Sequence, residues 1–243
     1  MRRTPIRSVS GAAAALAAAD KKPAQPTRAE QIAELRSRMA ALGGEPDAPV
    51  SAPAQVLPVG EELRTLLPGG GLPRGAVSHV SDTPALVVEM IKQVAAAGGF
   101  CGVVGWEQLS YAGVLPEHLE RVVAVPEPGI DPLGVAGVLA EGLDLVVVYT
   151  PQRLELSPVR ARPLLARLRQ GRAALVAVGT RVPSPALEVV GEVAGVHGVG
   201  HGSGRITGID IRVRAQAKGS RPASRVITLG TAPQPRPALK VVK

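Results

Sequence analysis

The sequence predicts an α/β protein: a mostly parallel sheet flanked by helices, a C-terminal antiparallel β-hairpin, and an isolated N-terminal helix. Three observations carry that reading. From Val56 onward, short apolar runs alternate with helix-length patterns, the signature of a parallel sheet covered on both faces. After Val190 the texture turns glycine-rich and then strictly alternating, from Arg205 to Arg214, as a half-solvated strand does. Before the alternation begins, one helical pattern stands apart behind a Pro/Ala-rich stretch at 45–55.

Residues 1–26 are charged and rich in Ala, Pro and Ser without periodicity, a composition that favours disorder. Thr27 has N-cap chemistry, and Glu30 three residues on completes a capping box. Ile32, Leu35, Met39 and Leu42 follow at helical spacing, and Gly43-Gly44 ends the run. The apolar stripe of this 28–42 helix needs a partner: another protein, or the chain's own domain. Strands are expected at 76–80, 101–104, 121–125, 144–149 and 174–178, with helices at 85–97, 110–115, 131–141 and 158–170. Lys218–Pro222 reads as a basic turn, and Ser224–Leu229 as the second hairpin strand. The organisation is therefore a tail with one helix and a linker (1–55), a core (56–230), and a basic proline-containing tail (231–243).

The 243 residues are 45% apolar but only 2% aromatic, so Val, Leu, Ala and Ile must fill the core. Arginines number 22 against 6 lysines and asparagine is absent, which reflects GC-rich coding. With one cysteine, Cys101, a disulfide framework and a thiolate metal cluster are excluded, in keeping with a reducing cytoplasm. The alanine run at 12–19 is short and is broken by Asp20-Lys21-Lys22, unlike a secretory signal. No stretch approaches the roughly 18 apolar residues of a membrane span. The net charge of +8 is uneven. Residues 56–200 are slightly acidic, and the excess of Lys and Arg lies beyond residue 200. Such asymmetry points to an anionic partner, nucleic acid first.

Between Gly69 and Glu107 the chain has the layout of a nucleotide-binding strand–loop–helix unit without its phosphate loop. Gly69-Gly70-Gly71-Leu72-Pro73-Arg74-Gly75 leads into a strand, and a helix and a second strand follow. Where a G-x-x-x-x-G-K-[ST] run would cradle phosphates, only Ser81-Asp82-Thr83-Pro84 stand. That segment has no glycine and no lysine. Pro84 has no N–H to donate, and Asp82 repels phosphate.

These residues resemble the RecA recombinase core, over roughly 57–230. Cys101-Gly102-Val103-Val104-Gly105-Trp106-Glu107 is similar to the strand that ends in the catalytic glutamate of RecA proteins, which falls here on Glu107. Leu143–Val148 resembles the strand that ends in their magnesium-site aspartate, and here that position is Tyr149. The region corresponding to the first DNA-binding loop, Thr150 to about Ser157, is short. A degenerate RecA-like chain of this size resembles the ImuA-type accessory proteins of the bacterial DNA-damage mutasome, in their actinobacterial form. The resemblance implies a cytoplasmic, non-catalytic role in damage-induced (SOS) translesion synthesis, with no cofactor. The implied partner is an inactive Y-family polymerase homologue.

Other groups were weighed on their own chemistry. Glu107 without phosphate or metal ligands reads as a surface carboxylate rather than a base. Arg153, Arg160, Arg162, Arg167, Arg169 and Arg172 crowd around the 158–170 helix and read as a solvated face. Arg205, Arg212, Arg214, Lys218, Arg221 and Arg225 are the better DNA candidates, because acidic residues are nearly absent nearby in sequence. His197 and His201 lack further ligands, so no metal is expected. Cys101 reads as an inert buried thiol. Trp106 and Tyr111 either fill the vacated nucleotide pocket or face a partner. Two rivals to an adaptor remain open: a RecA-like ATPase with an unusual phosphate site, and a stand-alone DNA-binding or recombinase-regulating module.

Overall fold

The structure, a computed structural model, describes residues 55–200 and 203–231. In chain order its elements begin with β1 (Val56–Leu57), α1 (Glu61–Arg64), β2 (Leu72–Pro73), β3 (Val77–Val80) and α2 (Pro84–Ala96). Then come β4 (Cys101–Val104), α3 (Pro116–Leu119), β5 (Val122–Val125), α4 (Pro132–Leu139) and β6 (Leu145–Glu155). The chain continues with α5 (Pro158–Gln170), β7 (Ala174–Arg181), β8 (Leu187–Gly200), β9 (Ser203–Ala217) and β10 (Ala223–Gly230).

Eight strands form one sheet in the order β10-β9-β8-β3-β7-β6-β4-β5, and β1 and β2 form a separate ribbon. Every pairing from β8 through β3, β7, β6 and β4 to β5 is parallel. The pairs β8–β9 and β9–β10 are antiparallel. The α/β class, the mostly parallel sheet and the hairpin are thus all present. Central strands are Val/Ala runs buried on both faces, as crossover helices on both sides require. On one face, Leu86, Met90 and Ile91 of α2 pack with Val103, Val147, Val176 and Ile211. On the other, Ala136 of α4 and Leu164 and Leu168 of α5 pack with Val146, Val148 and Leu175. Helices α2, α3, α4 and α5 each begin with proline at the first helical position, where its missing N–H costs no helical bond.

Three expectations need correction. Residues 110–115 form turns, and the short helix is α3, begun by Pro116. Thr150 to Glu155 is not a loop: β6 continues through a register break and pairs again, Leu154 with Thr180 and Glu155 with Arg181. The glycine-rich run after Val190 is strand β8, which makes the antiparallel extension three-stranded. Residues 28–42 and 232–243, where a docking helix and a basic tail are expected, lie outside the described residues, as does His201.

Candidate functional site

Open parallel sheets hold their ligands at the carboxyl ends of the strands, where the chain changes direction. Here that place is the turn from β3 into α2, and β8 closes it. The Ser81 N–H donates to Val189 O at 2.9 Å, and the Gly191 N–H donates to Ser81 Oγ at 2.8 Å. Thr83 Oγ1 donates to Gly191 O at 2.8 Å and lies 2.8 Å from Ser81 Oγ. Thr83 is the N-cap residue of α2, yet its hydroxyl is turned to β8 and does not cap the helix. Its N–H is taken by Ser81 O at 2.7 Å. Of the donors a phosphate would need, those of Ser81 and Thr83 are spent and Pro84 has none. Gly191 permits the closure: a Cβ there would stand 3.1 Å from both Leu86 Cδ2 and Thr83 Oγ1.

At the carboxyl ends of β4 and β6, separated from β3 by β7, Trp106 and Tyr149 stack, with ring centroids 4.4 Å apart and planes 12° from parallel. Trp106 is buried and Tyr149 packs partly buried against the same core. Two glycines bring the strand ends together. Gly105 (φ 77°) would place a Cβ 2.6 Å from Tyr149 O, and at Gly179 (φ 79°) a Cβ would overlap Thr150 O. Thr150 and Thr180 join their hydroxyls at 2.9 Å. Tyr111 also packs on this core, and burial pushes its phenol pKa up. Glu107 is exposed and makes no ion pair among the described residues. Of the two roles open to Trp106 in the sequence, the structure has the inward one, with Tyr149 and not Tyr111 as its stacking partner. The end of β6, where the resemblance drawn from the sequence expects an aspartate, carries the Tyr149 ring.

At the carboxyl ends of β3, β7 and β8, reaching the turn itself, lies a cavity of about 290 Å³ lined among others by His79, Ser81, Asp82, Arg153, Arg181 and Glu188. The Val182 N–H donates to His79 Nε2 at 2.9 Å, so the ring's proton sits on Nδ1. Burial holds the His79 pKa below its ordinary value; Glu188 opposes this shift and Arg181 adds to it. Sequence reasoning passed over His79, and its only signal is a histidine amid apolar strand residues. Cys101 is buried, with its pKa pushed up to about 12 by burial first and Asp144 second. It is an inert thiol. Among the described residues, no group of three His, Cys, Asp or Glu side chains is placed to hold a metal.

A family model described as the MT3502 N-terminal domain matches residues 65–184, the span that holds the closed turn and the aromatic stack. A Mycobacterium tuberculosis protein, "Uncharacterized protein Rv3395c", is 30% identical over 201 residues, covering 78% of this chain and 93% of that one. This chain belongs to the Rv3395c family. Two solved structures are also similar. One is a RadB recombinase (15% identity, TM-score 0.48, 72% of this chain and 95% of that chain). The other is the KaiC-like protein PH0186 from Pyrococcus horikoshii OT3 (13% identity, TM-score 0.48, 72% and 94%).

In this Rv3395c-family chain the proposed DNA-contacting residues do not form one patch. Arg212 and Arg214 project from β9 on the face opposite buried Ile211 and Val213. Strand pairing sets Glu192 directly across from Arg212, and Glu188 two positions along the same strand face. The acidic residues missing nearby in sequence are therefore supplied by β8. Arg225 lies on the other face and donates to Thr65 Oγ1 at 2.8 Å. Arg221 is exposed in the turn after Lys218, and Arg205 is exposed near the far end of β9. His197, set aside as a metal ligand, is fixed otherwise: its Nε2 lies 2.8 Å from Asp210 Oδ1, to which Thr228 also donates at 2.7 Å. These contacts hold the Asp210 pKa below the usual carboxylate range, the His197 contact first.

Proposed function

We propose that this chain is a non-catalytic adaptor in damage-induced translesion synthesis, presenting its α/β core as a platform for an inactive Y-family polymerase homologue. One observation carries the reading. At the turn where a nucleotide's phosphates would be held, β8 engages the Ser81 N–H and the hydroxyls of Ser81 and Thr83, and the Thr83 N–H is spent on Ser81 O. The Trp106–Tyr149 stack and the exposed, unpartnered Glu107 agree with it, because phosphoryl transfer needs phosphate, metal and base positioned together. In this reading no cofactor is required, the chain works in the cytoplasm, and DNA contact is secondary. Residues Ile32, Leu35, Met39 and Leu42 supply the protein contact, and Arg205, Arg212, Arg214, Lys218, Arg221 and Arg225 any contact with DNA. No helix among the described residues is long and apolar enough to cross a membrane.

The test is copurification with the Y-family polymerase homologue of the same organism, with and without ATP and magnesium. A complex that forms equally in both, and is lost on replacing Ile32, Leu35 and Met39 by alanine, is the expected result. Failure to form a complex, or one that requires ATP, overturns the proposal.

A further inference from the structure

The sheet ends in two unlike edges. Strand β5 has four residues, with Pro126 and Pro128 directly behind it. A short edge followed by proline is the usual protection against pairing with another chain. Strand β10 has eight residues, pairs with β9 without a register break, and contains no lysine, proline or bulge. Its phase is fixed by the Thr231 N–H donating to Thr207 O at 2.9 Å. Odd-numbered residues of β10 therefore turn their N–H and C=O to β9. Ser224, Val226, Thr228 and Gly230 turn theirs outward.

We propose that β10 is the pairing edge of a twofold dimer, in which a second copy of this chain adds its own β10 antiparallel. The dyad passes through Val226, so each Ser224 stands opposite Thr228 and no two like charges meet. Val226, 47% exposed in the single chain, becomes covered. On the other face, the second copy's Arg225 stands opposite Ile227. Ile227 and Leu229 line a cleft of about 380 Å³ whose charged walls are Glu61, Glu62, Glu89 and Lys92. Glu61 and Glu89 already pair with Arg64 and Lys92, which leaves Glu62 with the unused charge. The self-complementary register and the acidic cleft awaiting an arginine together select a second copy over an unrelated strand.

Sedimentation velocity on the full chain across roughly 1–100 µM tests this, since a contact of this kind associates weakly. Val226→Lys adds an edge charge. Val226→Pro deletes an outward N–H and leaves the β9 ladder intact. The wild type is expected to show a concentration-dependent dimer. Both variants should sediment as monomers with unchanged melting, and Glu62→Arg should raise the dimer Kd about tenfold. A wild type that stays monomeric throughout overturns the proposal. So does a dimer that survives both Val226 variants, because its interface then lies elsewhere.

Discussion

The parallel half of the sheet and its antiparallel extension handle polar groups in opposite ways. In the parallel half, the strand ends meet through glycines, stacked rings and hydroxyl pairs, and the donors of a ligand site are consumed internally. In the extension, β8, β9 and β10 bury one face and leave the other, with Glu188, Glu192, Arg212 and Arg214, in water. At the β3–α2 turn the donors of Ser81 and Thr83 are engaged within the chain. The chemistry left for partners is on the open face and the outer edge. The family model's match, which ends at residue 184 just before β8, follows the same division.

Four sets of measurements sharpen this contrast, beginning with the largest effect. Trp106→Ala should cost about 3–5 kcal/mol by denaturant unfolding, since a buried ring leaves a cavity. Val190→Ala, on the open face of the extension, should change stability by less than about 0.5 kcal/mol. If the two costs are similar, the stack is not the keystone of the crevice.

Gly179→Ala should cost about 2–4 kcal/mol, because positive φ is joined by overlap with the Thr150 carbonyl. Gly219→Ala, at φ 77° in the β9–β10 turn with nothing within 4 Å of the new Cβ, should cost only about 1 kcal/mol. Comparison of the two melting curves separates close packing from backbone strain.

The halves should also weaken at different pH. His79 has a depressed folded pKa, so its stability is present above the unfolded value near 6.5. It is lost as pH falls from there through the folded pKa. Asp210 has a depressed pKa as well, so its contribution persists until pH falls below about 3.9. Denaturant midpoints across pH should lose the first decline in His79→Gln and the second in Asp210→Asn. The smallest effect has the opposite sign. Ser78 Oγ in β3 is buried without a hydrogen-bond partner, so Ser78→Ala should raise stability by up to about 1 kcal/mol.

Much of the parallel half was legible because Val/Ala runs and proline-led helices make strong local signals. The misses have local causes too. Pro151 follows Tyr149-Thr150 and breaks the β6 register, so the resumed pairing at Leu154 leaves no continuous pattern. Gly191, Gly195 and Gly198 lower the strand propensity of β8, which β3 holds only as far as Val189 and β9 holds beyond it. No helix forms at 110–115 because Pro116 holds the residue before it, Leu115, extended (φ −66°, ψ 145°), and the helical start waits for Pro116. Of the candidate site, the missing loop chemistry was readable residue by residue. The Trp106–Tyr149 stack was not, since it depends on β4 and β6 being neighbours in register, Val104 beside Val148. Nor was the closure by Gly191, a contact between segments distant in sequence.

The central claim is that β8 closes the β3–α2 turn to a nucleotide's phosphates, and calorimetric titration of the purified chain with ATP and magnesium tests it most directly. The sole tryptophan, Trp106, gives a parallel fluorescence readout from the same edge of the sheet. No heat of binding and no fluorescence change up to about 1 mM ATP, the upper end of the usual range for enzyme substrates, is the predicted result. Saturable binding that shifts the Trp106 emission would contradict it, and would make Glu107→Gln the variant that decides whether catalysis survives.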